Sequence, residues 1–273
     1  MFSPPTSAVL PRVYVFDLDG VLYRGEEAVP YAAETLAALR ARPDAPLLFF
    51  LTNNSSQTRQ TYVDKLTRLG MPCTEDEVVT SASATADYIA SVLQTPSARA
   101  LVVGGPGIQH ELSRVGVQVF DSTDEETGEV FDFVVAGLDR SFTYHKLWRA
   151  QQAILRGAVF VATNRDHQFP IEGGQVIPGG GAMVAAIEAA SDQSPRVIGK
   201  PETLGLQTIL QKANAQPEEA VMIGDRSDTD ILCGNRLNVP TVLVLTGVTD
   251  SIKAAALPTE QTPTRLIADL REL

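Results

Sequence analysis

The stretch Arg12–Gly20, RVYVFDLDG, decides the fold. Arg12–Phe16 is a short, largely apolar, β-branched run that ends at acids, the pattern of a parallel strand covered on both faces. Asp17 and Asp19 stand two residues apart at its end, where both carboxylates can face one cavity, and Gly20 lets the chain turn sharply. Asp and Gly are also common turn residues, so the tetrapeptide DLDG taken alone also reads as a turn.

Outward from this stretch the chain alternates strand with helix. Pro30–Arg40 reads as a helix with Pro in its first turn, and Leu47–Leu51 (LLFFL) as a second buried strand. Ser55 or Ser56 can cap a helix that runs to Leu69 and stops at Gly70. Val78–Thr80 is a short strand and Ala84–Leu93 a helix. Apolar runs recur at Ala100–Val103, Val117–Phe120, Phe131–Ala136 and Val159–Ala162, with a helix over Thr143–Leu155. Pro178–Gly181 reads as a flexible junction ahead of a helix over Ala182–Ala190. Val197–Ile198, Glu202–Ala213, Ala220–Ile223, Ile231–Leu237 and Thr241–Leu245 resume the alternation. This order predicts an α/β fold with a mostly parallel sheet, in which ligands bind at the carboxyl ends of the strands.

The chain has 273 residues, 44% hydrophobic and 20% charged, enough for roughly two domains. Thirty-three acids against 22 bases leave a net charge of −11, which argues against a nucleic-acid partner. A cleft of opposite local sign stays open to an anionic small molecule. Cys73 and Cys233 are too few for a disulfide framework or a Cys-based zinc site and suit a reduced compartment. Met1–Leu10 has no signal-peptide pattern, and the apolar runs fall far short of the ~20 residues of a membrane span. The expectation is a soluble cytoplasmic protein with no membrane partner.

Polar clusters close four of the apolar runs. Asp17-Leu18-Asp19-Gly20 is the first. Thr52-Asn53-Asn54-Ser55 is the second: a hydroxyl and free backbone N–H groups at a helix entrance suit an oxyanion, and equally serve as a helix cap. Lys200, after Ile198-Gly199, is the third, and alone reads as a solvated surface lysine. Gly224-Asp225-Arg226-Ser227-Asp228-Thr229-Asp230 is the fourth, an acidic loop whose spacing does not match an EF-hand. From Asp19 to Thr52 is only 33 residues, but from Thr52 to Lys200 is 148, far more than a parallel crossover needs. A second α/β unit is therefore inserted, at about residues 88–178. Val103–Gly107 (VGGPG) lacks the spacing of a dinucleotide loop or P-loop and reads as a turn of that unit. Trp148 and Phe142 read as its core, and His110 and His145 as surface residues.

The order of these clusters resembles the haloacid dehalogenase superfamily of phosphohydrolases. The motifs that carry the resemblance are VYVFDLDGVLYRG, FFLTNNSSQTR, VIGKP and VMIGDRSDTDI, spread over residues 12–249. LTNNSSQTR, VVAGLDRSFTY, VATNRDHQFPIEGGQVIPGGGAMVAAIE and LTGV narrow it to the NagD-like, 4-nitrophenylphosphatase or phosphoglycolate phosphatase-like branch. The resemblance implies a Rossmann-like parallel-sheet core (1–87 and 179–273) carrying an inserted α/β cap (88–178). It implies a phosphatase of small phosphate monoesters: 4-nitrophenyl phosphate, phosphoglycolate, pyridoxal phosphate, glycerol or sugar phosphates, or nucleotide monophosphates. Asp17 would be the nucleophile that forms an aspartyl-phosphate, and Asp19 the acid and then the base. Mg²⁺ would be held by the Asp17 side chain, the Asp19 carbonyl and Asp225. Asp230 would orient its water, with Asp228 as the competing acid. Thr52, Asn53 and Asn54 would hold phosphate oxygens, Lys200 would bridge Asp17 and phosphate, and Arg165 and His167 would contact substrate. A homodimer through the cap follows by analogy. Phosphoryl transfer to another acceptor, as in a phosphomutase, and a non-catalytic phosphate-ligand sensor are the alternatives.

Overall fold

The apolar run after Arg12 forms β1 (Val13–Phe16), buried along its whole length. The computed structural model describes residues 10–93, 97–123, 130–170 and 175–273. After β1 come the hairpin strands β2 (Tyr23–Arg24) and β3 (Glu27–Ala28), then α1 (Ala32–Arg40), β4 (Leu47–Thr52), α2 (Arg59–Arg68), β5 (Val78–Thr80) and α3 (Ser81–Val92). Next are β6 (Arg99–Val103), α4 (Pro106–Arg114), β7 (Gln118–Asp121), β8 (Phe133–Ala136), α5 (Tyr144–Leu155) and β9 (Val159–Ala162). A second hairpin, β10 (Gln168–Pro170) and β11 (Val176–Pro178), leads into α6 (Gly180–Ser191) and β12 (Arg196–Val197). The chain continues with α7 (Leu204–Ala213), β13 (Ala220–Gly224), α8 (Leu232–Arg236), β14 (Thr241–Val244) and β15 (Arg265–Ile267).

Two parallel sheets result, as the strand–helix alternation predicts. The larger has the order β15-β14-β13-β1-β4-β5, and the smaller β12-β9-β8-β6-β7. From β1 the chain winds outward to β4 and β5, and later returns to β13 on the other side of β1. The strand order thus reverses beside β1, which opens a crevice at the carboxyl ends of β1 and β13. Alternate residues of β1 face opposite ways. Val13 and Val15 join Leu51 and Leu206 on one face, while Tyr14 and Phe16 join Leu36 and Leu66 on the other. The first of these clusters runs on through Ile89 of α3 to Ala100, Val102 and Ile108, so the two sheets share one continuous core.

Several elements depart from the sequence reading. The helix after β4 starts at Arg59, because Thr58 and not Ser55 or Ser56 accepts the Thr61 N–H. Ser55 is used elsewhere, its hydroxyl 2.9 Å from that of Thr163 beyond β9. The glycine run is not a flexible junction. Gly180 and Gly181 form the first turn of α6, and a Cβ on Gly179 or Gly181 would lie 2.2 Å from Asp166 O or 2.4 Å from Arg165 O. These glycines let two stretches of backbone touch. The second sheet also extends past residue 179: α6 packs on α5, and β12 pairs with β9. The VGGPG loop enters α4 and docks on the segment between β4 and α2, where a Cβ on Gly107 would lie 2.2 Å from Gln57 O. Phe142 packs partly buried against the outer cluster, but Trp148 is 38% exposed and is not core. His110 and His145 are exposed. No helix among the described residues is long and apolar enough to cross a membrane.

Candidate active site

The carboxyl ends of both sheets converge on a cavity of about 80 Å³. Asp17, Thr52 and Asp225, each the residue at or just past the end of β1, β4 and β13, line it from the larger sheet. Leu138 after β8, Asn164 and Asp166 after β9, and Phe169 of β10 line it from the smaller one. Lys200 arrives just after β12, at the edge of the smaller sheet, and reaches across. Its ammonium donates to Asp17 Oδ1 at 2.5 Å and to Leu51 O at 3.0 Å, and lies 2.7 Å from Asp230 Oδ1. Burial alone would lower the pKa of this lysine, but Asp17 and Asp230 more than offset that and raise it. Lys200 is therefore a fixed positive charge.

Asp17 is buried, and its carboxyl is pushed well above the ordinary range by burial and by the neighbouring Asp230 and Asp225, with Lys200 opposing. Burial and then Asp230 push Asp225 up to about 7, while the Val248 N–H, at 2.6 Å from Oδ2, opposes the rise. Among the described residues, Asp225 Oδ1 is buried without a partner, and Asp230 Oδ1 makes no aligned hydrogen bond despite facing Lys200. Oxygens of Asp17, Asp225 and Asp230 lie within 4.8 Å of one another. Three crowded acids with an orphaned oxygen, one of them unpaired with the Lys200 ammonium, fit a divalent cation bound by hard oxygen donors. Asp230, sited on a π-helical turn over Ser227–Ile231, belongs to this group. Asp228 does not: it is exposed and paired with Arg226 at 2.9 Å. A Cβ on Gly224 would lie 2.1 Å from that of Asp230, so only glycine lets the turn fold back over the end of β13.

Asp19 is half-buried at the rim and stands outside the acidic triad. Burial pushes it up to about 6, against the pull of Lys65, Lys200 and the Tyr23 hydroxyl, which lies 3.5 Å from Oδ2. Gly20, at φ +86°, makes the turn, and its absent Cβ leaves room for Asp225 Oδ2, which one would meet at 2.5 Å. Thr52 Oγ1 accepts from Asn54 N at 3.1 Å. Asn53 and Asn54 line the cavity, but their side chains serve mainly to hold the site together. Asn53 Nδ2 donates to Lys200 O at 2.9 Å and faces both Asp166 oxygens at 3.2 Å. Asn54 Oδ1 accepts from the Ser56 N–H at 3.0 Å.

The expected substrate contacts from Arg165 and His167 are not among the residues that line the cavity. Both are exposed, and Arg165 turns outward to Glu188 at 2.8 Å. Asp166 between them faces inward instead. The sequence reading assigned no role to Asp166, to Asn164, whose Nδ2 donates to Asn53 O at 2.8 Å, or to Gly247-Val248, whose backbone holds Asp225. The signal for the last was the LTGV motif, placed after a strand.

Comparison with known proteins agrees with this geometry. The sequence profile of the haloacid dehalogenase-like hydrolases matches residues 14–118, and a HAD-hydrolase-like profile matches residues 197–273. Human glycerol-3-phosphate phosphatase is 41% identical over 254 residues, covering 86% of this chain and 78% of its own. The acid sugar phosphatase of Staphylococcus saprophyticus is 35% identical over 264 residues, 96% of each chain. Among solved structures, the glycerol phosphate phosphatase of Mycobacterium tuberculosis in complex with magnesium superimposes with a TM-score of 0.87 at 34% identity, over 97% of this chain and 76% of that one. The same protein has been solved with calcium. NagD of E. coli superimposes with a TM-score of 0.83 at 32% identity, over 97% of this chain and 99% of that one. With its acids gathered at the crevice beside β1 and its relatives spanning both sheets, the chain belongs to the haloacid dehalogenase-like hydrolases, in the NagD-like branch of phosphoric monoester hydrolases.

Proposed function

We propose that this protein is a Mg²⁺-dependent phosphatase of small phosphate monoesters that works through an aspartyl-phosphate on Asp17. The observation that carries the reading is the Asp17–Lys200 contact at 2.5 Å inside a group of three acids, with Asp19 lining the same cavity. A phosphate monoester resists hydrolysis because an anion must attack an anion. Lys200 holds Asp17 in place and offers positive charge to the incoming phosphoryl group. One Asp17 oxygen forms a bond to phosphorus as the bond from phosphorus to the leaving oxygen breaks, and Asp19 gives its proton to that oxygen. Water then attacks phosphorus, Asp19 takes a proton from it, and Asp17 is released as carboxylate. Asp17, Asp225 and Asp230 would hold the Mg²⁺, which when bound supplies Lewis-acid neutralisation of phosphoryl charge.

A cavity of about 80 Å³ beside the acids has room for a handful of water-sized groups, which suits a phosphoryl group. Glycerol, sugar, pyridoxal and nucleoside phosphates stay within the proposed class. Hydrolysis is favoured over transfer to a second acceptor because the short link from Asp19 to Thr52 holds only a small hairpin and α1 between them. The proposed setting is a reducing cytoplasm, supported by Cys73 and Cys233 as separate thiols. The test is phosphate release across a panel of metabolites by the wild type, by Asp17→Asn, and after chelation of metal. The reading predicts loss of turnover in both treatments. Full turnover in either contradicts it.

A further inference from the structure

We propose that Arg140 is a specificity-determining residue that reads a second anionic group on the leaving-group side of the substrate. This rests on the phosphatase reading above, in which the leaving oxygen lies at Asp19. From Asp19 a second cavity, of about 570 Å³, opens between α2 and the smaller sheet. It shares Asp19, Asn54 and Phe169 with the cavity of the acids. A substrate with phosphorus at Asp17 and its leaving oxygen at Asp19 has the rest of its body here.

Two cations line this second cavity, Lys65 from α2 and Arg140 from the loop after β8. Lys65 is already answered: Glu26 lies at 3.3 Å, and its ammonium stands 3.8 Å from the centre of the Tyr23 ring. Arg140 is exposed and has no hydrogen bond or ion pair among the described residues. The carboxylates that line the neighbouring cavity with it are spoken for. Asp139 is held by Lys146 at 2.6 Å and by the Ser141 hydroxyl at 2.9 Å, and Asp121 by Gln109 at 3.0 Å and the Thr123 hydroxyl at 2.7 Å. Asp19 and Glu26 line the same cavity, but Glu26 is taken by Lys65 and Arg68, which leaves Arg140, unanswered among the described residues, as its cation open to an anionic group. Its planar fork matches a carboxylate or a phosphate. The substrate class is therefore a phosphate monoester whose leaving group carries a second negative charge.

3-Phosphoglycerate and glycerol 3-phosphate differ only in carboxylate against hydroxymethyl, so the ratio of their kcat/KM values isolates that charge. The wild type is expected to favour 3-phosphoglycerate. Arg140→Gln should lower the ratio about tenfold, chiefly through KM for 3-phosphoglycerate, and Arg140→Lys, which keeps the charge but loses the fork, should lower it by less than Arg140→Gln does. Thermal melting checks that both variants fold. An unchanged ratio in Arg140→Gln, with phosphate still released, overturns this proposal alone. A wild type that releases phosphate from neither substrate nor from 4-nitrophenyl phosphate overturns the phosphatase reading, and this one with it.

Discussion

Burial pushes the carboxyls of Asp19 and Asp225 up toward neutral pH, to about 6 and about 7. With its carboxyl pushed up to about 6, Asp19 holds its proton below that pH and loses it above, so proton donation to the leaving oxygen weakens as pH rises through about 6. Asp19→Asn should cost about 100-fold or more in kcat/KM, which reports the step that expels the leaving group, for glycerol 3-phosphate, whose alkoxide leaves badly, and clearly less for 4-nitrophenyl phosphate. Steady-state kinetics on the two substrates checks this; equal losses would remove Asp19 as the proton donor. Asp225, pushed up to about 7, must lose its proton before it can bind a cation. Mg²⁺ affinity should therefore rise about tenfold or more from about pH 6 to pH 8, as read by titration calorimetry, and a flat affinity would contradict its role as a ligand. Asp17, Thr52 and Asp225 are legible in the sequence because each closes an apolar run. Asp166 is not, because residues of an extended segment alternate in direction and nothing in NRDHQ states which parity faces inward. Asp228 and Asp230 cannot be told apart in sequence, because a π-helical turn shifts side-chain direction away from the α-helical period.

At the scale of elements, the strands are legible because parallel strands buried on both faces read as unbroken apolar runs. The two hairpins and β15 are not, since β2, β3, β10, β11 and β15 have only two or three residues each and no apolar alternation. The glycine run looks like a joint in sequence because glycine permits motion, whereas close contact between backbones is visible only in three dimensions. Gly181 makes the difference measurable. A glycine-to-alanine change in an ordinary helix stabilises by about 0.4–1 kcal/mol. Gly181→Ala would place a Cβ 2.4 Å from Arg165 O, so a destabilisation of about 1–3 kcal/mol is expected instead. Urea denaturation decides the sign, and a more stable variant would refute the close contact.

At the scale of the molecule, the second sheet is legible from spacing alone, as 148 residues separate Thr52 from Lys200. Its far boundary is not, because the apolar patterns of α6 and β12 look the same whichever sheet they join. Packing decides it: β12 pairs with β9, and this brings Lys200 over Asp17. A homodimer through the inserted unit is our proposal. Tyr144, Trp148 and Leu155 are exposed apolar residues of α5 at 84%, 38% and 60%, and their spacing sets them near one helical stripe. Trp148→Glu should shift a dimer to monomer in analytical ultracentrifugation, and a wild-type monomer at micromolar concentration would dismiss that interface. The central claim, however, is the convergence of both sheets on Asp17. The direct measurement is an acid quench of the protein during turnover of 4-nitrophenyl phosphate with Mg²⁺, followed by peptide mass spectrometry. The account predicts one phosphoryl group on Asp17 and none in Asp17→Asn; turnover with Asp17 unmodified at every quench time, or a phosphoryl group on another residue, would contradict it.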